Sequence, residues 1–182
     1  MAHEFTTSYL ADSLSLFRYS KLMTERAIAQ TPDEHLATAI DNESNSIAII
    51  VKHLAGNMRS RWMDFLTTDG EKADRHRDTE FENPPATRAG LIEMWERGWS
   101  YVFGALEPLT DADLGRTVYI RGEAHSVMQA IARQTVHYSL HIGQIILLAK
   151  HFANANWQSL SVPRGQSEEY NRRVLAGEAS QR

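Results

Sequence analysis

Apolar side chains recur three and four residues apart along most of the chain, the spacing of one face of an α-helix. Over 4–29 that face carries Phe5, Leu10, Leu14, Phe17 and Ile28. The segment stops before Thr31-Pro32-Asp33-Glu34. There Thr31 and Glu34 have capping-box spacing and Pro32 suits a first helical position. Over 44–66 the stripe is cleaner: Ile47, Ile50, Val51, Leu54, Met58, Trp62 and Phe65. A third stripe (Leu91, Met94, Trp95, Val102, Leu106) spans 87–106, with Thr87 as a cap and Pro108 as the stop. The fourth covers 126–152 and is apolar nearly all round at Ile145-Ile146-Leu147-Leu148, which predicts the most buried helix.

The connections carry different signals. The polar, acid-rich stretch 67–82 closes with Asn83-Pro84-Pro85 and reads as a solvated, mobile link. Thr110 and Asp113 again have capping-box spacing. Residues 117–121 are β-prone and precede Gly122, which predicts an extended arm or one short strand. The tail over 157–182 is polar, with one order signal from Trp157 to Gly165. The expected fold is all-α, a four-helix bundle forming a single domain over 1–182.

Composition narrows the function more than the fold. The chain has 182 residues, 42% hydrophobic and 23% charged, which is ordinary globular usage and argues against disorder. A net charge of −4 argues against nucleic acid as the main partner. No apolar run approaches the ~20 residues of a membrane span, and the first residues lack a basic region followed by an apolar one. The expectation is a cytoplasmic protein that does not engage membranes. Cysteine is absent, which removes disulfides, thiolate-ligated metals and a cysteine nucleophile. A transition-metal site must then rest on the eight histidines, with or without carboxylates.

His137 and His141 stand four apart on the fourth helix, so both imidazoles project from one face. An i,i+4 pair is weak evidence by itself. Buried imidazoles without partners are costly, however, and ligation to one ion satisfies both. His53 lies mid-way through the second helix, off its main stripe and on a flank shared with Ile50 and Asn57. It qualifies as a third ligand because helices two and four of a bundle can face each other. His3, His35, His76 and His151 read as solvated, and His125, just before the fourth helix, is an outside candidate.

The run His137-Tyr138-Ser139-Leu140-His141-Ile142-Gly143-Gln144 resembles the last-helix motif of the DinB/YfiT-like metal-binding superfamily. The segment from Trp157 to Ser167 resembles the end of an uncharacterised bacterial branch of it. Ile142 stands where many relatives have Arg. The resemblance implies a four-helix bundle, often a homodimer, with His53, His137 and His141 as metal ligands and an open metal face. Three neutral imidazoles leave coordination positions free. Zinc or nickel is the expected ion, with manganese or iron as alternatives. Asn57, Gln134 and Gln144 are spaced to orient the ligands.

An open ion of this kind can activate water for hydrolysis, or can bind a low-molecular-weight thiol and deliver it to an electrophile. The resemblance favours a metal-dependent thiol transferase. A metal-dependent hydrolase and a non-catalytic, stress-related metal-binding bundle are the alternatives. Trp95, Trp99 and Tyr101 are candidates for an apolar pocket, with bundle core as their competing use.

Overall fold

The computed structural model describes residues 5–180. Four long helices form where the stripes predict them: α1 Tyr9–Ala29, α2 Ile47–Trp62, α3 Arg88–Leu106 and α4 Val127–Ala153. Each starts on a hydroxyl residue whose oxygen accepts a free backbone N–H of the first turn. Ser8, Ser46, Thr87 and Ser126 accept from Ala11, Ile49, Gly90 and Gln129. Ser126 and Gln129 form a full capping box. Such caps are worth about 1 kcal/mol each. Thr110 pairs with Asp113 as expected, both its N–H and its hydroxyl donating to that carboxylate. Thr31 does not cap the turn Asp33–His35. Its buried hydroxyl donates back to the Ala27 carbonyl, ending α1 instead of starting a new helix.

The region 117–126 is neither an arm nor a single strand. It is a hairpin of β1 Thr117–Ile120 and β2 Glu123–Ser126, antiparallel, with Ile120 opposite Glu123. Arg121 and Gly122 both have positive φ (56° and 76°), as a two-residue hairpin turn requires. Val118 and Ile120 point into the core, while Tyr119 is exposed. Among the described residues this is the only sheet. The tail adds a further helix, α5 Ser167–Leu175, with no buried residue, where the sequence suggested only a polar segment.

The bundle closes on an aromatic centre. Phe17 of α1, Trp99 of α3 and Tyr138 of α4 lie 5.7–6.0 Å apart, ring to ring. Trp62 of α2 donates its indole N–H to the Tyr138 hydroxyl at 2.9 Å. All four rings are buried. Trp95 and Trp99 therefore belong to the core. Helices α2 and α3 approach closely at Gly98. A Cβ built there would sit 3.0 Å from the Ala55 Cα and 3.0 Å from the Met58 sulfur.

That approach gives a paired expectation. Gly98→Val should destabilise the protein by about 1–3 kcal/mol through overpacking. Gly104→Ala, on the same helix with nothing near its added methyl, should be neutral or stabilise by up to about 1 kcal/mol. Chemical denaturation of the two variants checks both signs.

Candidate metal centre

Tyr138 fixes the rotational setting of α4. Its ring is locked in the core, so its neighbour His137, about 100° round the helix, must emerge on the adjoining flank. His141 follows four residues on, along the same flank. His53 comes from α2 and is only 3% exposed. The three imidazoles converge, with potential ligand nitrogens all within 4.8 Å of one another. The Nε2 atoms of His53 and His137 are 3.3 Å apart.

Hydrogen bonds behind the rings decide which nitrogens face inward. The His53 Nδ1–H donates to Glu80 Oε2 at 2.8 Å, so its Nε2 carries the lone pair. His141 Nδ1 donates to Gln144 Oε1 at 2.9 Å, which leaves its Nε2 bare as well. His137 Nδ1 is buried and has no partner. The residue types fit a divalent ion, and one of the three ligand pairs already has the spacing of an occupied site. Two ligands of a tetrahedral ion at about 2.0–2.1 Å stand about 3.3–3.4 Å apart, the His53–His137 separation.

Glu80 comes from the stretch expected to be solvated and mobile, and that expectation is corrected. The connection after α2 is pinned at several points. Asp69 accepts from the backbone N–H groups of Arg121 and Gly122 at 2.8 and 2.7 Å, tying the stretch to the hairpin turn. The Ser60 hydroxyl donates to the Gly70 carbonyl, and the Lys52 ammonium reaches the carbonyls of Thr79 and Glu82. A 3-10 turn, Arg77–Phe81, then delivers Glu80 behind His53 and lays Phe81 against the His53 ring, centroids 4.9 Å apart. Glu80 is 6% exposed, and Arg75 pairs with both its oxygens at 2.8 and 3.0 Å. A side chain at Gly56 would collide with this carboxylate, its Cβ falling 2.7 Å from the Glu80 Cδ. Burial alone would raise the Glu80 carboxyl. The hydrogen bonds from His53 and Arg75 and the Arg75 charge outweigh it and hold the carboxyl below its ordinary value.

Burial, followed by the charges of His141 and His53, pushes the His137 imidazole down from 6.5 to about 3. His141 is also lowered, chiefly by burial. Both rings are therefore neutral, the form that ligates, at pH 7. Of the other orienting candidates, Asn57 and Gln134 are buried beside the histidines, but neither carbonyl oxygen has a partner. His125 lies in β2, opposite Val118, outside the cluster. His35 is half-buried and stacks on Phe152, its ring 4.6 Å away, rather than standing in solvent. His76 and His151 are exposed, and His3 lies outside the described residues. Tyr101 borders a different cavity, against Trp62 and Leu109.

The histidines open into a cavity of about 790 Å³. Its walls include Arg61, Arg75, Arg77, Arg121 and Arg133, and no acidic residue. No helix among the described residues is long and apolar enough to cross a membrane.

No curated protein matches the sequence. Among solved structures, a DinB-like protein from Bacillus cereus ATCC 10987 is similar in fold. The TM-score is 0.62 at 14% identity, over 81% of this chain and 94% of that one. The family described as "Protein of unknown function (DUF1572)" matches residues 4–166. With nearly the whole chain matched, this protein belongs to the DUF1572 family, and it shares the bundle fold of the DinB-like protein.

Proposed function

We propose that His53, His137 and His141 hold one divalent ion, and that the protein is a metal-dependent transferase acting on a low-molecular-weight thiol. The observation that carries the metal is the convergence of three imidazoles from two helices, two of them with their outer nitrogen already hydrogen-bonded. Three neutral ligands from the chain leave open positions, which suits catalysis better than a structural role. Zinc or nickel fits an all-imidazole set, ahead of manganese or iron. When bound, such an ion lowers the pKa of a coordinated thiol or water, so that a nucleophile exists at neutral pH.

The chain's own residues do the rest. Glu80 and Gln144 fix ring orientation and tautomer. Arg75 keeps Glu80 ionised and in place. Phe81 covers one face of His53. The chain offers no cysteine, so the sulfur comes from a cosubstrate. Hydrolysis is the second reading, since the same open position accepts water.

A homodimer is part of the proposal. Val136, Leu140 and Leu147 form an exposed apolar row on α4, and Gly143 between them has open space above it. Large exposed apolar rows of this kind mark contact faces. Two of these residues also border the histidine cavity.

Three expectations follow from this reading. Tag-free protein should carry about one divalent ion per chain by elemental analysis, and His137→Ala should lose it while keeping its helical circular dichroism. Glu80→Gln should fold and still bind, about 10–100-fold more weakly. A metal-free wild type that takes up no zinc or nickel ends the proposal.

The second concerns pH. The His137 imidazole binds a proton near 6.5 when unfolded but only near 3 when folded. Between those values the unfolded state holds more protons, so stability is full above about pH 6.5 and is lost as pH falls towards 3. The lowered Glu80 carboxyl acts in the same direction below its ordinary value of 4.5. Denaturation midpoints of metal-free protein between pH 8 and 4 should fall with pH, and His137→Gln should flatten the upper part of that fall.

The third is assembly. Sedimentation should give a species of about 41 kDa, twice the 20.6 kDa chain. Leu147→Glu should shift it to the monomer.

A further inference from the structure

The chain as a whole is acidic, at −4, yet the histidine cavity is walled by five arginines and no carboxylate. Two of the five lie deep and are already paired. Arg75 is spent on Glu80 and Glu71, and Arg61 on Glu71 and the Gly70 carbonyl. Arg121 also reaches Glu71, but its side chain is 59% exposed. Arg77 and Arg133 are different. Both are exposed, and among the described residues neither has a carboxylate or hydrogen-bond partner. Arg77 rests its guanidinium over the Phe81 ring at 5.1 Å, which holds it at the cavity wall and leaves its N–H groups unspent. Arg133 stands one turn before His137 on α4, beside the buried Gln134.

Arg18, Arg59, Arg88 and Arg116 each pair with a carboxylate elsewhere on the surface. Several other exposed arginines, Arg97, Arg164 and Arg173 among them, also lack a carboxylate partner among the described residues, so what distinguishes Arg77 and Arg133 is that both face the histidine cavity. Two arginines left unpaired at one cavity, whose deeper pair is already matched by Glu71 and Glu80, concentrate positive potential where a ligand would enter. Guanidinium forks match the planar oxygen pair of a carboxylate or the oxygens of a phosphate. Next to them, the orphaned Asn57 Oδ1 and Gln134 Oε1 are acceptors, suited to a hydroxyl or N–H elsewhere on a ligand and not to its anionic oxygens.

From this we infer that the cavity binds an acidic small molecule, its carboxylate or phosphate held by Arg77 and Arg133 while the rest of it reaches the three histidines. The inference names the substrate class of the site proposed above and rests on that reading for the role of the histidines. The arginine contacts themselves do not need the ion.

Calorimetric titration of metal-free and zinc-loaded protein tests it, with three probes: succinate, inorganic phosphate and neutral succinamide. Each is titrated into wild type, the double variant Arg77→Gln/Arg133→Gln, and a control, Arg173→Gln, on α5 away from the cavity. Saturable binding of at least one acid to both forms is expected, with succinamide inert. The double variant should weaken it about tenfold or more, and the control should leave it unchanged. Preference for succinate identifies a carboxylate ligand, and preference for phosphate a phosphorylated one. Zinc content of the double variant should stay at the wild-type value. The inference is overturned if neither acid binds, if binding ignores the two arginines, or if it occurs only with zinc present and equally in the double variant. Those results leave the metal proposal standing when zinc is retained. Acid binding that depends on the arginines in a protein that takes up no metal does the reverse.

Discussion

The Glu80 carboxylate sits almost fully out of water, and a buried charge must be paired or it drives the chain to another arrangement. Its pairing sets most of the site. Arg75 takes both oxygens, His53 donates to one, and Gly56 supplies the room that any side chain would fill. Glu80 stands on the 3-10 turn, Arg75 on the connection before it, and His53 and Gly56 on α2. Satisfying one carboxylate therefore locks a polar loop onto a helix. It also holds the His53 ring so that Nε2, not Nδ1, meets α4. The cost of removing one partner is not that of one surface ion pair, usually under 1 kcal/mol. It is the larger cost of leaving the remaining charges buried and unmatched.

The other half of the site is held by apolar packing. Tyr138 is enclosed by Phe17, Trp99 and the indole of Trp62, so α4 can neither rotate nor slide without breaking the core. His137 and His141 inherit that precision. The two halves meet without a covalent or chain-local link between them, which is why α2 and α4 must pack correctly before the three imidazoles converge. The bundle core does not include the histidines, so folding and ligation are separable, unlike a small zinc domain that folds on its metal.

Much of this was legible in the sequence because helix stripes and caps are local signals. The four long helices, Thr87 as a cap and the Thr110–Asp113 pair follow from spacing alone. His137 and His141 share a face by arithmetic. What spacing does not carry is the long-range electrostatics. Glu80 is 27 positions from His53, inside a stretch whose composition says loop. Its burial depends on Gly56 and Arg75 meeting it in space, and an acid-rich segment gives no sign of which acid goes inside. The hairpin was half visible: β-prone residues before Gly122 mark one strand, but Glu123-Ala124-His125-Ser126 has little β propensity and pairs because Asp69 clamps the turn. Thr31 failed as a cap for a related reason. A Thr at the end of a helix can bond backwards as readily as forwards, and burial against α1 favours the backward bond.

Charge placement then connects the site to what it can accept. Imidazoles are neutral ligands, so an ion held by three of them keeps its full positive charge, whereas a carboxylate in the first shell would cancel part of it. Here the carboxylate stands one step back, on the far side of His53, and is already neutralised by Arg75. The cavity walls add guanidinium groups rather than acids. In a partly desolvated cleft such charges are screened less than at the open surface, so their sum matters to whatever enters. A cationic molecule meets repulsion from the exposed guanidinium groups. An anion is attracted by the same groups. The net charge of −4 over the whole chain says nothing of this. What a ligand meets locally is set by the two unpaired arginines that face this cavity, Arg77 and Arg133.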